Sequence, residues 1–154
     1  MKYCYLLLIC LVLSSCTKKG KEVAVLRTNM GTVVIAFYDG VPRHTENFKK
    51  LCKEGFYDDT GFHRVIPEFM IQGGDPNTKD EDRTNDGTGG PGYTLEEEIR
   101  YPHLRGTVAS ARLPDAQNPN QESNGSQFYI CTLPQPHLDA GHTAFGYVLE
   151  GLEI

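Results

Sequence analysis

The chain has 154 residues and 39% hydrophobic content, enough for one domain with a full core and too little for two. Its formal net charge is -5, from 20 acidic and 15 basic residues, and the basic residues form no patch interleaved with aromatics. That excludes nucleic-acid binding, which needs a positive footprint to neutralise phosphates.

At the N-terminus Lys2 supplies a positive start, Tyr5 to Leu13 a short apolar run, and Leu13-Ser14-Ser15-Cys16 closes it. The run is too short for a membrane span, because crossing about 30 Å of hydrocarbon takes roughly 20 apolar residues. The closing pattern resembles the lipobox of bacterial lipoprotein signals. That resemblance implies a signal peptide over residues 1–16 with Cys16 as the lipidated N-terminus, a solvated tether over 17–22 and a folded domain over 23–154. It further implies a place in the bacterial cell envelope, facing the periplasm, with the membrane as a partner through lipid. Two or three acyl chains hold firmly at about 0.8 kcal/mol per buried methylene. On this reading Cys4 and Cys10 leave with the signal, Cys16 takes lipid, and Cys52 and Cys131 remain as buried free thiols.

Further along, two alternating β-branched runs, Val23 to Thr28 and Thr32 to Tyr38, meet at Asn29-Met30-Gly31 and predict a hairpin. A helix is expected from Pro42, whose missing N–H costs nothing in a first turn, with Phe48, Leu51 and Cys52 on its core face. Strands are expected over 62–66 and 69–73, a Gly- and Asp-rich loop from Asp75 to Gly92, and further strands over 107–111, 127–131 and 143–148. Many short strands with few helices predict a mainly β, antiparallel barrel.

Strand alternation sorts the side chains by face. Arg64 points opposite to His63, Met70 and Gln72 share a face, and Gln127 and Tyr129 share one while Phe128 and Ile130 take the other. Two amides, Gln72 and Gln127, inside apolar strand runs must find partners, and a substrate groove supplies them. His63, His137 and His142 lack the spacing of a metal motif, so no metal or cofactor is expected.

Phe62 to Asp75 reads F-H-R-V-I-P-E-F-M-I-Q-G-G-D, which resembles the signature of the cyclophilins, the peptidyl-prolyl cis/trans isomerases. Val41 to Leu51, Asn124 to Ile130 and His137 to Gly146 resemble further blocks of that family, in order, so the likeness covers residues 23–154. It implies a closed antiparallel eight-stranded barrel capped by helices. The chain stops within a recognisable pattern at Glu150-Gly151-Leu152-Glu153-Ile154, so the last strand is expected to be missing through C-terminal truncation.

The activity so implied is isomerisation of X-Pro bonds, over a barrier of about 18–20 kcal/mol, in exported polypeptides. No nucleophile, metal or cofactor is needed. An apolar slot for the prolyl ring and a fixed cation that favours the twisted amide suffice. Carried over by resemblance, Arg64 is the catalytic cation and Gln72 its orienting neighbour, while Phe69, Met70, Tyr129, Leu138 and His142 form the proline slot. Gln127 and the backbone at Ala111 and Arg112 align the substrate chain, and Gly87 belongs to the adjoining loop. His137 stands on the wall where many members carry tryptophan, Tyr129 replaces a common phenylalanine, and the connection from Leu113 to Ser126 is longer than usual. The partners implied are proline-containing polypeptides, and a monomer is expected. The rival reading is a binding module or chaperone that uses the same groove without turnover. Retention of Arg64 separates the two, because inactive members of the fold typically lose it.

Overall fold

The computed structural model describes residues 21–154, and the signal pattern with Cys16 lies outside the described residues. β1 (Val23–Arg27) and β2 (Thr32–Phe37) form the expected hairpin, in register from Val23↔Ala36 to Arg27↔Thr32. Thr28 closes its turn, with Oγ1 accepting from the N–H groups of Met30 and Gly31 at 3.1 Å each.

Helix α1 (Pro42–Lys53) starts at the proline, but its cap comes from far away in sequence. Val41 offers no side-chain acceptor, and the Glu98 carboxylate takes the N–H groups of Arg43 (3.2 Å) and His44 (3.0 Å) instead. An anion at this end also suits the helix dipole. The buried His44 ring completes the joint, with Nδ1 2.8 Å from Glu98 Oε2 and Nε2 3.0 Å from Ser123 Oγ. Burial holds His44 below the ordinary histidine value despite the Glu98 contact. One face of α1 buries Phe48, whose ring lies 4.9–6.0 Å from those of Tyr57, Phe145, Phe128 and Phe37. Burying such a ring stabilises by about 1.5–3 kcal/mol.

The other strands are β3 (Arg64–Ile66), β4 (Met70–Gly73), β5 (Thr94–Leu95), β6 (Thr107–Ser110), β7 (Ser123–Asn124), β8 (Phe128–Cys131) and β9 (Ala144–Glu150). Seven of them make one antiparallel sheet in the order β1-β2-β9-β6-β8-β4-β3, and β5 pairs with β7. The sheet is curled and divides the buried side chains by alternation. Phe128 and Ile130 join Ile35, Phe48, Val108 and Phe145 on the α1 side, while Tyr129 and Cys131 join Met70, Ala109, Ala111 and Ala144 on the other.

Two expectations are met in part and one is corrected. The fold is mainly β and antiparallel as expected, and the described sheet has seven strands in the order that runs from β1 to β3. Alternation tells which face a residue takes and carries no information about the order in which strands pair. Of the helices expected as caps, the described residues hold one α-helix, α1, together with two short 3-10 turns, Pro76–Lys79 and Pro136–Leu138. Cys131 is a buried free thiol as expected, but Cys52 is exposed, because it falls off the stripe that buries Phe48 and Leu51.

Candidate active site

The β3–β4 hairpin builds one side of a groove. Arg64 stands opposite Gln72 and Ile66 opposite Met70, while the turn between them holds Glu68 at φ 62° and brings Phe69 to the rim. The buried Gln135 steadies that turn, its amide donating to the Glu68 carbonyl at 3.0 Å. Pairing of β4 with β8 then sets Gln72 beside Tyr129 and Met70 beside Cys131, and β6 brings Ala109 to the far side of Tyr129. The result is a groove of about 120 Å³ lined by Arg64, Phe69, Met70, Gln72, Ala111, Arg112, Tyr129, Leu138 and His142. Residues spread over almost eighty positions of sequence thus converge because β4, β8 and β6 are neighbours in one sheet.

The exposed Arg64 guanidinium donates from Nη1 to Gln72 Oε1 at 3.3 Å. Gln72 Nε2 donates to Gln127 Oε1 at 2.9 Å, and Gln127 Nε2 donates to the carbonyls of Gly87 (3.0 Å) and Gly89 (2.8 Å). Those two carbonyls can only accept, so they fix which end of the Gln127 amide faces them. That choice fixes Gln72 in turn and aims its oxygen at Arg64. The glycine loop is pinned by Asp75, fully buried, whose carboxylate accepts from the N–H groups of Asn77 (2.8 Å), Gly87 (2.5 Å) and Gly89 (3.2 Å). Asn124 adds a bond from Nδ2 to the Gly89 carbonyl (3.0 Å) and accepts from the N–H groups of Ser126 and Gln127.

His142 is pushed down to about 4, chiefly by burial and then by Arg112, His103 and His137, so its ring is neutral at physiological pH. Burial pushes the Tyr129 phenol well above its ordinary range, and it stays protonated. Beneath the groove the Tyr129 hydroxyl lies 2.9 Å from His103 Nε2, and His103 Nδ1 lies 2.9 Å from Asp139 Oδ1.

Two of the residues expected at the site lie behind the groove instead of lining it. Gln127 is buried and acts through Gln72, and Gly87 contributes its backbone to Gln127. His137 is exposed at the rim, its ring centroid 5.7 Å from that of Phe69. The Ala111 N–H already donates to the Gln127 carbonyl at 3.0 Å. Arg112 turns its side chain along the long connection, donating to the Gly141 carbonyl at 2.5 Å and to Asp115 at 2.6 Å. Sequence reasoning missed Asp75, His103 and Asp139. The glycines that follow Asp75 were a signal for it, since a tight backbone loop needs an internal anchor. His103 carried no signal, because it sits in an irregular polar stretch.

Taken together, the sheet and the groove define a class: an antiparallel β protein with a small groove of mixed apolar and polar lining beside an oriented cation. Among the described residues no group of three His, Cys, Asp or Glu side chains stands where it could hold a metal ion. The family model for cyclophilin type peptidyl-prolyl cis-trans isomerases matches residues 23–154, and the chain belongs to that family. It is 47% identical over 125 residues to a peptidyl-prolyl cis-trans isomerase of Synechococcus elongatus, covering 80% of this chain and 77% of that one. With peptidyl-prolyl cis-trans isomerase B of Bacillus subtilis it shares 43% identity over 119 residues, covering 75% and 74%. A crystal structure of a Cryptosporidium parvum cyclophilin, determined with the dipeptide Ala-Pro, superposes with a TM-score of 0.74 at 31% identity, covering 86% of this chain and 81% of that one.

Proposed function

We propose that this chain accelerates X-Pro isomerisation in exported, folding polypeptides at the bacterial cell envelope, working as a monomer held to the membrane by lipid on Cys16. The observation that carries the enzymatic reading is the one-directional bond chain from the Gly87 and Gly89 carbonyls through Gln127 and Gln72 to Arg64. A groove that only bound proline would gain little from a cation held at one angle. A catalyst gains, because the cation favours the twisted amide over the planar one.

The prolyl ring enters between Phe69, Met70, Tyr129, Leu138 and His142, while Arg64 faces the amide from the rim. Rotation about the C–N bond makes and breaks no covalent bond. The protein has only to bind the ring, exclude water and stabilise the nitrogen once its lone pair leaves conjugation. The Cryptosporidium protein was crystallised in the presence of Ala-Pro, and that pairing supports a prolyl substrate for this chain. The enzyme is tested by exchange NMR on a proline tetrapeptide with the wild type and Arg64→Ala. Peptide binding without turnover in the wild type would leave the binding-module reading standing.

The location rests on Leu13-Ser14-Ser15-Cys16 following a short apolar run. Cells labelled with a clickable fatty acid are expected to acylate the wild type and not Cys16→Ser. Equal incorporation in both overturns the lipid anchor.

A further inference from the structure

We propose that His103 is a positioning residue of the proline slot, fastening the wall that carries Tyr129 to the wall that carries Leu138. The proposal rests on the isomerase reading and goes beyond it, since His103 does not line the groove and reaches it only through Tyr129.

The two walls come from separate parts of the chain. Tyr129 belongs to β8, and Leu138 ends the 3-10 turn Pro136–Leu138. His103 is bonded to both sides of that turn: its carbonyl accepts from the Gln135 N–H at 2.7 Å, and its own N–H donates to Asp139 Oδ1 at 2.7 Å. Its imidazole then reaches from Asp139 to Tyr129, with 2.9 Å at either end. The rings of His103 and Tyr129 are nearly parallel, 15° apart with centroids 5.9 Å from each other.

Each bond in this link has one possible direction. An ionised Asp139 only accepts, so the proton of neutral His103 sits on Nδ1 and Nε2 is left as an acceptor. Burial holds His103 below the ordinary histidine value, and Asp139 is held below the usual carboxylate range first by the His103 N–H, which keeps this arrangement at neutral pH. The Tyr129 hydroxyl must therefore donate to His103, which turns its polar end out of the slot and leaves the ring as apolar wall. The His103 side chain is 0% exposed, so no water replaces a lost bond easily. Width and polarity of the slot depend on this link, and prolyl binding should respond to its loss while the Arg64 chemistry does not.

The experiment uses the full chain. Nitrogen-15 imidazole spectra of the wild type are expected to show His103 with the proton on Nδ1, the less common tautomer of free histidine. His103→Asn, whose amide stops at the depth of Nδ1 and cannot reach Tyr129, is expected to raise KM for a prolyl tetrapeptide about fivefold with kcat within about twofold. His103→Gln, which reaches the Nε2 position and can accept from the phenol, is expected to recover most of that loss. Tyr129→Phe is expected to raise KM as His103→Asn does, and the double variant to add nothing beyond about twofold, the mark of two groups acting as one. A proton on Nε2, or additive effects in the double variant, overturns the proposal. If no turnover is seen in the wild type, the isomerase reading fails separately, and the tautomer together with peptide dissociation constants in the same variants still decides on the link.

Discussion

Two hollows lie on opposite sides of the sheet, and the smaller is the one backed by oriented polar groups. The larger, of about 870 Å³, opens between the edge strand β1 and the segment 57–62 and reaches in to Phe48, Gly74 and Phe128. It mixes apolar and charged side chains, Val25 and Phe62 with Arg27, Asp58 and Asp59, and no bond chain among the described residues aims one of them. The groove has about 120 Å³, yet behind it Asp75, two glycine carbonyls, Gln127 and Gln72 all act to set one guanidinium. Volume measures where packing is incomplete. Oriented polar groups backed by buried partners mark where a reaction is stabilised.

The comparison assigns stability to the cavity side and turnover to the groove side, and Phe48→Ala tests it most strongly. Phe48 is 3% exposed and central to the aromatic cluster beside the cavity, so its loss is expected to cost about 3–5 kcal/mol. Urea unfolding measures this, and kcat/KM of the fraction still folded should stay within about twofold of wild type. Arg64→Ala is the converse. The side chain is exposed and, among the described residues, hydrogen bonded only to Gln72, so stability should hardly move while kcat/KM falls at least about tenfold, about 1.4 kcal/mol of transition-state stabilisation. A stable, fully active Arg64→Ala, or an inactive but folded Phe48→Ala, breaks the division.

Titration sharpens the same contrast. His142 lines the groove and is pushed down to about 4, mainly by burial, against about 6.5 in an unfolded chain. Between those values the unfolded state binds more protons, so this contribution is complete above about pH 6.5 and is lost as pH falls toward about 4. Urea midpoints are expected to drop over that window by an amount worth roughly 1–2 kcal/mol, and His142→Gln to make the drop shallower. An unchanged slope in the variant would mean that His142 is not held neutral by the groove.

Much of this is legible in the sequence. Period-two alternation sent Tyr129 to the groove and Phe128 to the α1 side, and Pro42 marked the first turn of the helix. Two glutamines in apolar strands need partners, and where a substrate groove was expected to supply them, the structure bonds them to each other and Gln127 to the Gly87 and Gly89 carbonyls. What could not be read depends on contacts between distant residues with no periodicity to betray them. Glu98 caps a helix that begins more than fifty residues earlier, and His103 meets Asp139 and Tyr129 only because the sheet order brings three loops and strands together. Cys52 was misplaced for a related reason: helical spacing puts it near the buried stripe, and the width of that stripe is set by what packs against it.

The smallest expected effect is the most direct test of the cavity's silence. Cys52 lines the cavity with part of its surface exposed, and partial burial of the thiol, followed by the Asp58 carboxylate, pushes it up to about 11. At pH 8 it should therefore react with a maleimide more slowly than an ordinary surface thiol, whose value is about 8.5. Complete reaction places a bulky group in the larger hollow while the bond chain from Asp75 to Arg64 lies on the other side of the sheet. Isomerisation by the labelled protein should then stay within about twofold of the unlabelled protein, with Cys52→Ser carried through the same treatment as the control. A tenfold loss confined to labelled Cys52 would show that the cavity communicates with the groove, most directly through Phe128, which lines the cavity and opens β8 between Gln127 and Tyr129.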